Sequence, residues 1–146
     1  MDTLQALKQA FIFKNVPDSV LQIVAAAAEH MSVPTGETIL SSSAPDSLYV
    51  IQRGTVRVVA EGGNAPPIFF GTGETVGEVP LLDGGPVGVI ATALEPVEVL
   101  VLRAPKLADA LAGHPEAGYH LYRAIAKSLA GRLRRAVGMI AIAKEG

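Results

Sequence analysis

The sequence predicts a mainly β protein: a sandwich or roll of short strands with helices before and after it. Three observations carry that expectation. Between residues 31 and 103 short apolar runs alternate with turn signals, Gly36, Gly54, Gly73 and Gly77 stand at the breaks, and the chain on either side changes to helical periodicity.

Taken in order, Val16-Pro17-Asp18 reads as a helix start, because Pro at the first helical position gives up only an amide that has no intrahelical partner. Val20, Leu21, Val24, Ala27 and Ala28 then recur at helical spacing and predict a face packed on the sheet. Strands are predicted over 37–40, 48–52, 55–60, 68–70, 89–94 and 97–102. Ser41-Ser42-Ser43 and Asp46-Ser47 read as a polar turn rather than as a nucleophile site. Pro105 opens a short helix that Gly113 ends, and Pro115 opens a long one. Along that last helix Leu121, Ile125, Leu129, Leu133, Val137 and Ile140 form one apolar stripe, part of it lying on the roll and the rest suited to pairing with a second copy across a two-fold axis.

With 146 residues, 49% hydrophobic and 18% charged, the chain suits one domain over 1–146, with a roll at about 31–103 and C-terminal helices at about 105–143. There is no cysteine, hence no disulfide framework and no thiolate site, and a reducing cytoplasm is the default expectation. Lys8, Lys14 and Asp18 break up the N-terminal segment, so it does not read as a signal peptide, and no apolar run is long enough to predict a membrane span. The net charge of -2 argues against a dedicated nucleic-acid binder.

The motifs along the chain resemble the cyclic-nucleotide-binding domain of catabolite-activator-type regulators, protein kinase A regulatory subunits and nucleotide-gated channels. They fall in family order: the opening Phe11-Ile12-Phe13-Lys14-Asn15-Val16-Pro17, then Thr35-Gly36-Glu37-Thr38-Ile39-Leu40, then Leu48-Tyr49-Val50-Ile51-Gln52-Arg53-Gly54-Thr55. Gly77-Glu78-Val79-Pro80-Leu81-Leu82-Asp83-Gly84-Gly85-Pro86, Ala91-Thr92-Ala93-Leu94 and Val97-Glu98-Val99-Leu100 complete the set. The resemblance implies an antiparallel, jelly-roll-like β-roll with N-terminal helices, a short cassette helix and a long C-terminal helix. It further implies a phosphate-binding cassette in which Glu78 accepts a ribose hydroxyl and the helix after Gly77 offers backbone amides to an anion. The candidate ligand-binding residues are Gly77, Glu78, Val79, Pro80, Leu82, Pro86, Val87, Gly88 and Val89.

This chain departs from the family inside that cassette. Where the pattern has Pro-Arg followed by Ser or Ala, it reads Pro86-Val87-Gly88-Val89. Loss of the arginine removes a charge-assisted hydrogen bond of about 1.5–3 kcal/mol. Gly88 brings no hydroxyl, and Pro80 brings no amide. On the long helix, Arg134-Arg135-Ala136-Val137 occupies the stretch where relatives read the base with hydroxyls. The chain ends at Gly146 shortly after this helix, so no direct DNA-reading element is expected.

The expectation is therefore a stand-alone, non-enzymatic regulatory or interaction domain without ordinary cyclic AMP or cyclic GMP binding. A working cyclic-nucleotide sensor with atypical contacts is the alternative. A cyclic nucleotide or other small ligand bound weakly or not at all, a homodimer through the C-terminal helix and a protein partner are the partners considered; no cofactor is expected. A metal enzyme of the cupin type would need clustered ligands, whereas His30, His114 and His120 stand apart with no His-x-His pair. Arg123, Lys127, Arg132, Arg134, Arg135 and Lys144 read as the solvated flank of the last helix, and Arg53 and Arg57 as outward-facing strand residues.

Overall fold

Two strands hold the molecule together because both of their faces are covered. In β3 (Ser47–Arg53) and β8 (Val97–Arg103) successive side chains point to opposite sides, so near-continuous apolar runs serve two layers at once. Leu48, Val50, Leu100 and Leu102 face the helices, and Tyr49, Ile51, Val99 and Val101 face the second sheet. These two strands are paired antiparallel from Ser47↔Arg103 to Arg53↔Glu98, with a register shift between Ile51 and Arg53.

The computed structural model describes residues 2–41 and 46–145, with side chains described as far as residue 140. Among them, β1 (Ala28–Val33), β8, β3 and β6 (Thr75–Val76) form one four-stranded antiparallel sheet in that order. The second sheet has the order β2 (Thr38–Leu40), β7 (Val89–Ala93), β4 (Val56–Ala60), β5 (Ile68–Phe70). Val33, Ile39, Leu40, Val56, Ala91 and Ala93 fill the space between the sheets. This is the β-roll that the strand pattern and the resemblance predicted.

The helices lie on the outer face of the first sheet. α1 (Thr3–Gln9) starts at Asp2, whose carboxylate accepts the Gln5 amide at 2.8 Å. A 3-10 turn over Phe11–Phe13 follows, then α2 (Asp18–Ala25). After the short α3 (Glu78–Asp83), α4 (Ala104–Leu111) and α5 (Pro115–Glu145) close the chain. Leu7, Phe13, Leu21, Leu107, Leu121 and Ile125 make the helix-side core.

Several elements differ from the sequence expectation. The helix after Pro17 stops at Ala25, and Ala28, expected on its apolar face, instead pairs with Leu102 in β1. A run of four alanines fits either a helix face or a strand, and the free edge of β8 decided the outcome. Thr75–Val76 was not anticipated as a strand. Asp46 and Ser47 were expected in a polar turn; Ser47 is buried and begins β3, while Ser42 and Ser43 lie outside the described residues. Gly113 ends α4 as expected, at φ +82.

Candidate functional site

The cassette is held where β6 passes close to β3. Val76 pairs with Tyr49 and Thr75 with Val50, which brings the next residue against the backbone of Ser47. Only glycine fits there: a Cβ on Gly77 would lie 2.2 Å from the Ser47 carbonyl oxygen, and its φ is +97. The left-handed turn sends Glu78 inward, leaving it 2% exposed. Pro80 and Leu81 are also buried on the inner side of α3, whereas Val79 and Leu82 face outward. The helix ends at Gly84, whose amide donates to the Pro80 carbonyl at 2.9 Å.

Beyond it, Pro86 and Gly88 are exposed, and Val87 and Val89 are half-buried against the core between the sheets. Val87, the position that the resemblance aligns with a phosphate-binding arginine, has its apolar side chain against that core. Gly88 adopts φ +75, so a serine there would be strained whatever the space around it.

The cation of the site comes from another element. Arg132, on α5, pairs with Glu78 Oε2 through Nη1 and donates from Nη2 to the Thr75 carbonyl at 2.9 Å. Its guanidinium carbon lies 5.4 Å from the centre of the Phe70 ring, in the range of a cation–π contact. The expectation for Arg132 was a solvated flank, and the structure overturns it: the residue turns in and is half-buried. Arg134 and Arg135 remain exposed as expected, as do Arg53 and Arg57, and the Lys144 side chain lies outside those described.

Glu78 carries two opposing influences. Burial pushes its carboxyl above the usual carboxylate range, because the charged form loses hydration; the Thr75 hydroxyl and the Arg132 guanidinium pull the other way but do not cancel it. Its Oε1 is buried and has no hydrogen-bond partner among the described residues. The arrangement thus offers one free buried acceptor and one occupied acceptor, with the occupying cation supplied by the chain itself. A ligand that places a hydroxyl on Oε2 must share that oxygen with the guanidinium.

The structure brings together Gly77, Glu78 and Pro80 and places Val87, Gly88 and Val89 at the start of β7 in the other sheet. The sequence reading missed Thr75, Phe70 and Arg132 as participants. For Arg132 a signal existed. It follows Leu129 by three residues, so it continues the inward-facing row of Leu121, Ile125 and Leu129, where a charged residue needs a partner.

Comparison with known proteins gives concordant results. The family described as cyclic nucleotide-binding domain matches residues 30–114, more than half of the chain. The chain is 28% identical over 117 residues to the potassium channel AKT2 of Oryza sativa subsp. japonica; the match covers 77% of this chain and 14% of the channel. Among solved structures it is similar to the N-terminal domain of a transcriptional regulator from Streptomyces coelicolor A3(2), with 29% identity and a TM-score of 0.72 over 90% of this chain and 94% of that one. It is also similar to the catabolite activator protein of Thermus thermophilus, with 25% identity and a TM-score of 0.73 over 91% of this chain and 62% of that one.

Proposed function

The chain belongs to the cyclic nucleotide-binding domain family, and from that premise we propose that it is a non-enzymatic regulatory or interaction domain whose pocket has lost ordinary recognition of cyclic AMP and cyclic GMP. One observation carries the reading. The buried Glu78 carboxylate, the group that would hold a sugar hydroxyl, is already engaged by Arg132 of the same chain. Val87 supplies no charge for a cyclic phosphate, and an anion left without a cation in a site that excludes water is costly. The similar proteins are named as a transcriptional regulator, a catabolite activator and a potassium channel, which supports regulation over catalysis.

Isothermal titration of the unmodified protein with each nucleotide tests this reading. The expected result is no saturable heat corresponding to a Kd below about 100 μM. Val87→Arg combined with Arg132→Ala supplies a cation just before β7 and frees Glu78, and is expected to improve binding by about tenfold or more. Gly88 is left in place because of its positive φ. Low-micromolar binding by the unmodified protein overturns the reading.

A second reading has its own support in the partnerless Oε1 of Glu78. In an atypical sensor a sugar hydroxyl takes Oε1 while Arg132 swings from the carboxylate to the phosphate. Arg132→Ala separates the two: it abolishes binding in the sensor and gains or leaves binding unchanged in the first reading.

The proposal also includes self-association through α5. Leu133, Val137 and Ile140 recur at spacings of four and three on the part of the helix beyond Arg132, and each is more than half exposed. An apolar face of this kind suits a second copy of the same helix.

A further inference from the structure

The positive charge of this chain is concentrated on one helix. Six of its twelve Lys and Arg residues lie on α5, against two of its fourteen acidic ones, although the whole chain carries -2. One of the six, Arg132, is consumed by Glu78. Three others, Arg123, Lys127 and Arg135, line a groove of about 380 Å³ between α5 and the Phe11–Phe13 turn. They follow one another at multiples of four residues, in a row about 18 Å long. None has a salt-bridge partner among the described residues, and no carboxylate lines the groove.

The groove is not purely polar. Ile12, Val16 and Ala124 give it an apolar lining, and Asn15 and Ser128 add hydrogen-bonding groups. One wall is Phe11, 63% exposed and held in place: its amide donates to the Gly73 carbonyl at 2.9 Å, and its ring lies about 3.0 Å from where a Cβ on Gly73 would be. In the middle of the basic row stands Gly131, with nothing within 4 Å of the position its Cβ would take. A row of unpaired cations beside an apolar lining, interrupted by a gap in the helix surface, is complementary to a segment carrying both carboxylates and an apolar anchor.

From this geometry we propose that the groove docks a short acidic peptide segment of a protein partner. Its carboxylates meet Arg123, Lys127 and Arg135, and an apolar side chain enters over Gly131 onto Ile12, Val16 and Ala124. A nucleic acid fits less well. The groove's one aromatic ring other than His120 is committed on one side to Gly73, and a long polyanion would run from the basic row onto a molecule that is otherwise acidic. A short peptide feels only the local row, because at physiological salt charges beyond about 8 Å are screened. The site is separate from the cassette and independent of the pocket reading.

Fluorescence anisotropy on the full chain tests the proposal with a short labelled peptide of Glu residues around a central Leu-Leu pair. Three comparisons accompany it: the same peptide with Gln for Glu, a single-stranded oligonucleotide of equal charge, and inorganic phosphate as competitor. The expected result is saturable binding of the acidic peptide, weakened by salt and about tenfold weaker with Arg123→Glu and Lys127→Glu together. Gly131→Leu fills the groove while favouring the helix, so it is expected to weaken binding by a similar factor with the thermal midpoint unchanged or raised. Because circular dichroism and the midpoint report folding independently, a loss through misfolding is distinguishable. Absence of saturable binding, equal binding of the Gln peptide, indifference to all of these substitutions, tighter binding of the oligonucleotide, or full competition by millimolar phosphate overturns the proposal.

Discussion

Glu78 is a carboxylate folded into a place that disfavours its charge, and the sign of its contribution to stability follows. Its pKa in the folded chain is raised by burial above the ordinary value. Between those two values the folded chain holds a proton that the unfolded chain has released, so this residue's contribution is full below the window and is lost as pH rises through it. Glu78→Gln keeps the shape without the charge. It is expected to raise the thermal midpoint at neutral pH, with the difference shrinking as pH falls toward the ordinary carboxylate range. A scan of midpoints for both proteins across that range checks it. A Gln variant that is less stable at neutral pH would mean that the ion pair with Arg132 outweighs the loss of hydration.

At the scale of elements, the glycines of the cassette separate two causes that sequence alone merges. Gly77 and Gly88 both adopt a positive φ, but only Gly77 has no room for a side chain. Gly77→Ala must push the Ser47 carbonyl and is expected to cost about 3 kcal/mol or more, whereas Gly88→Ala pays only for a left-handed backbone, about 1 kcal/mol. Urea denaturation of the two variants measures the difference. The turns, β3, β4, β5, β7, β8 and the last two helices were legible because apolar runs and Gly or Pro punctuation recorded them directly. β1 was not, since it begins at the last of four consecutive alanines, which fit a helix face equally well. The two-residue β6 has no periodicity to read; it exists because Tyr49 and Val50 offer a free edge. In the candidate site, the turn at Gly77 and the apolar residue at position 87 could be read locally, but the Arg132–Glu78 pair joins residues 54 apart in sequence and depends on where a helix crosses a sheet.

For the whole molecule, the apolar row on α5 divides into two parts with different fates. Leu121 and Ile125 are fully buried and Leu129 is half-buried against the helix-side core, so they belong to the fold. The exposed remainder is the part proposed to pair with a second copy. Leu133→Glu with Val137→Glu is expected to halve the mass seen by light scattering and leave the thermal midpoint of the roll within a few degrees, whereas Leu129→Glu is expected to destabilise the fold by about 2 kcal/mol or more. An unmodified protein that is monomeric at high concentration removes this role from the helix.

The same division makes α5 a lever. Its fulcrum is the buried turn around Leu121 and Ile125, and the Arg132 contact sits about 10 Å beyond Ile125, while the far end of the helix at Glu145 is about 30 Å beyond it. A rigid rod held this way multiplies displacement by about three. A shift of the helix backbone at Arg132 by the width of one hydrogen bond, as distinct from a rotation of its side chain, would carry the helix tip by roughly the diameter of a helix.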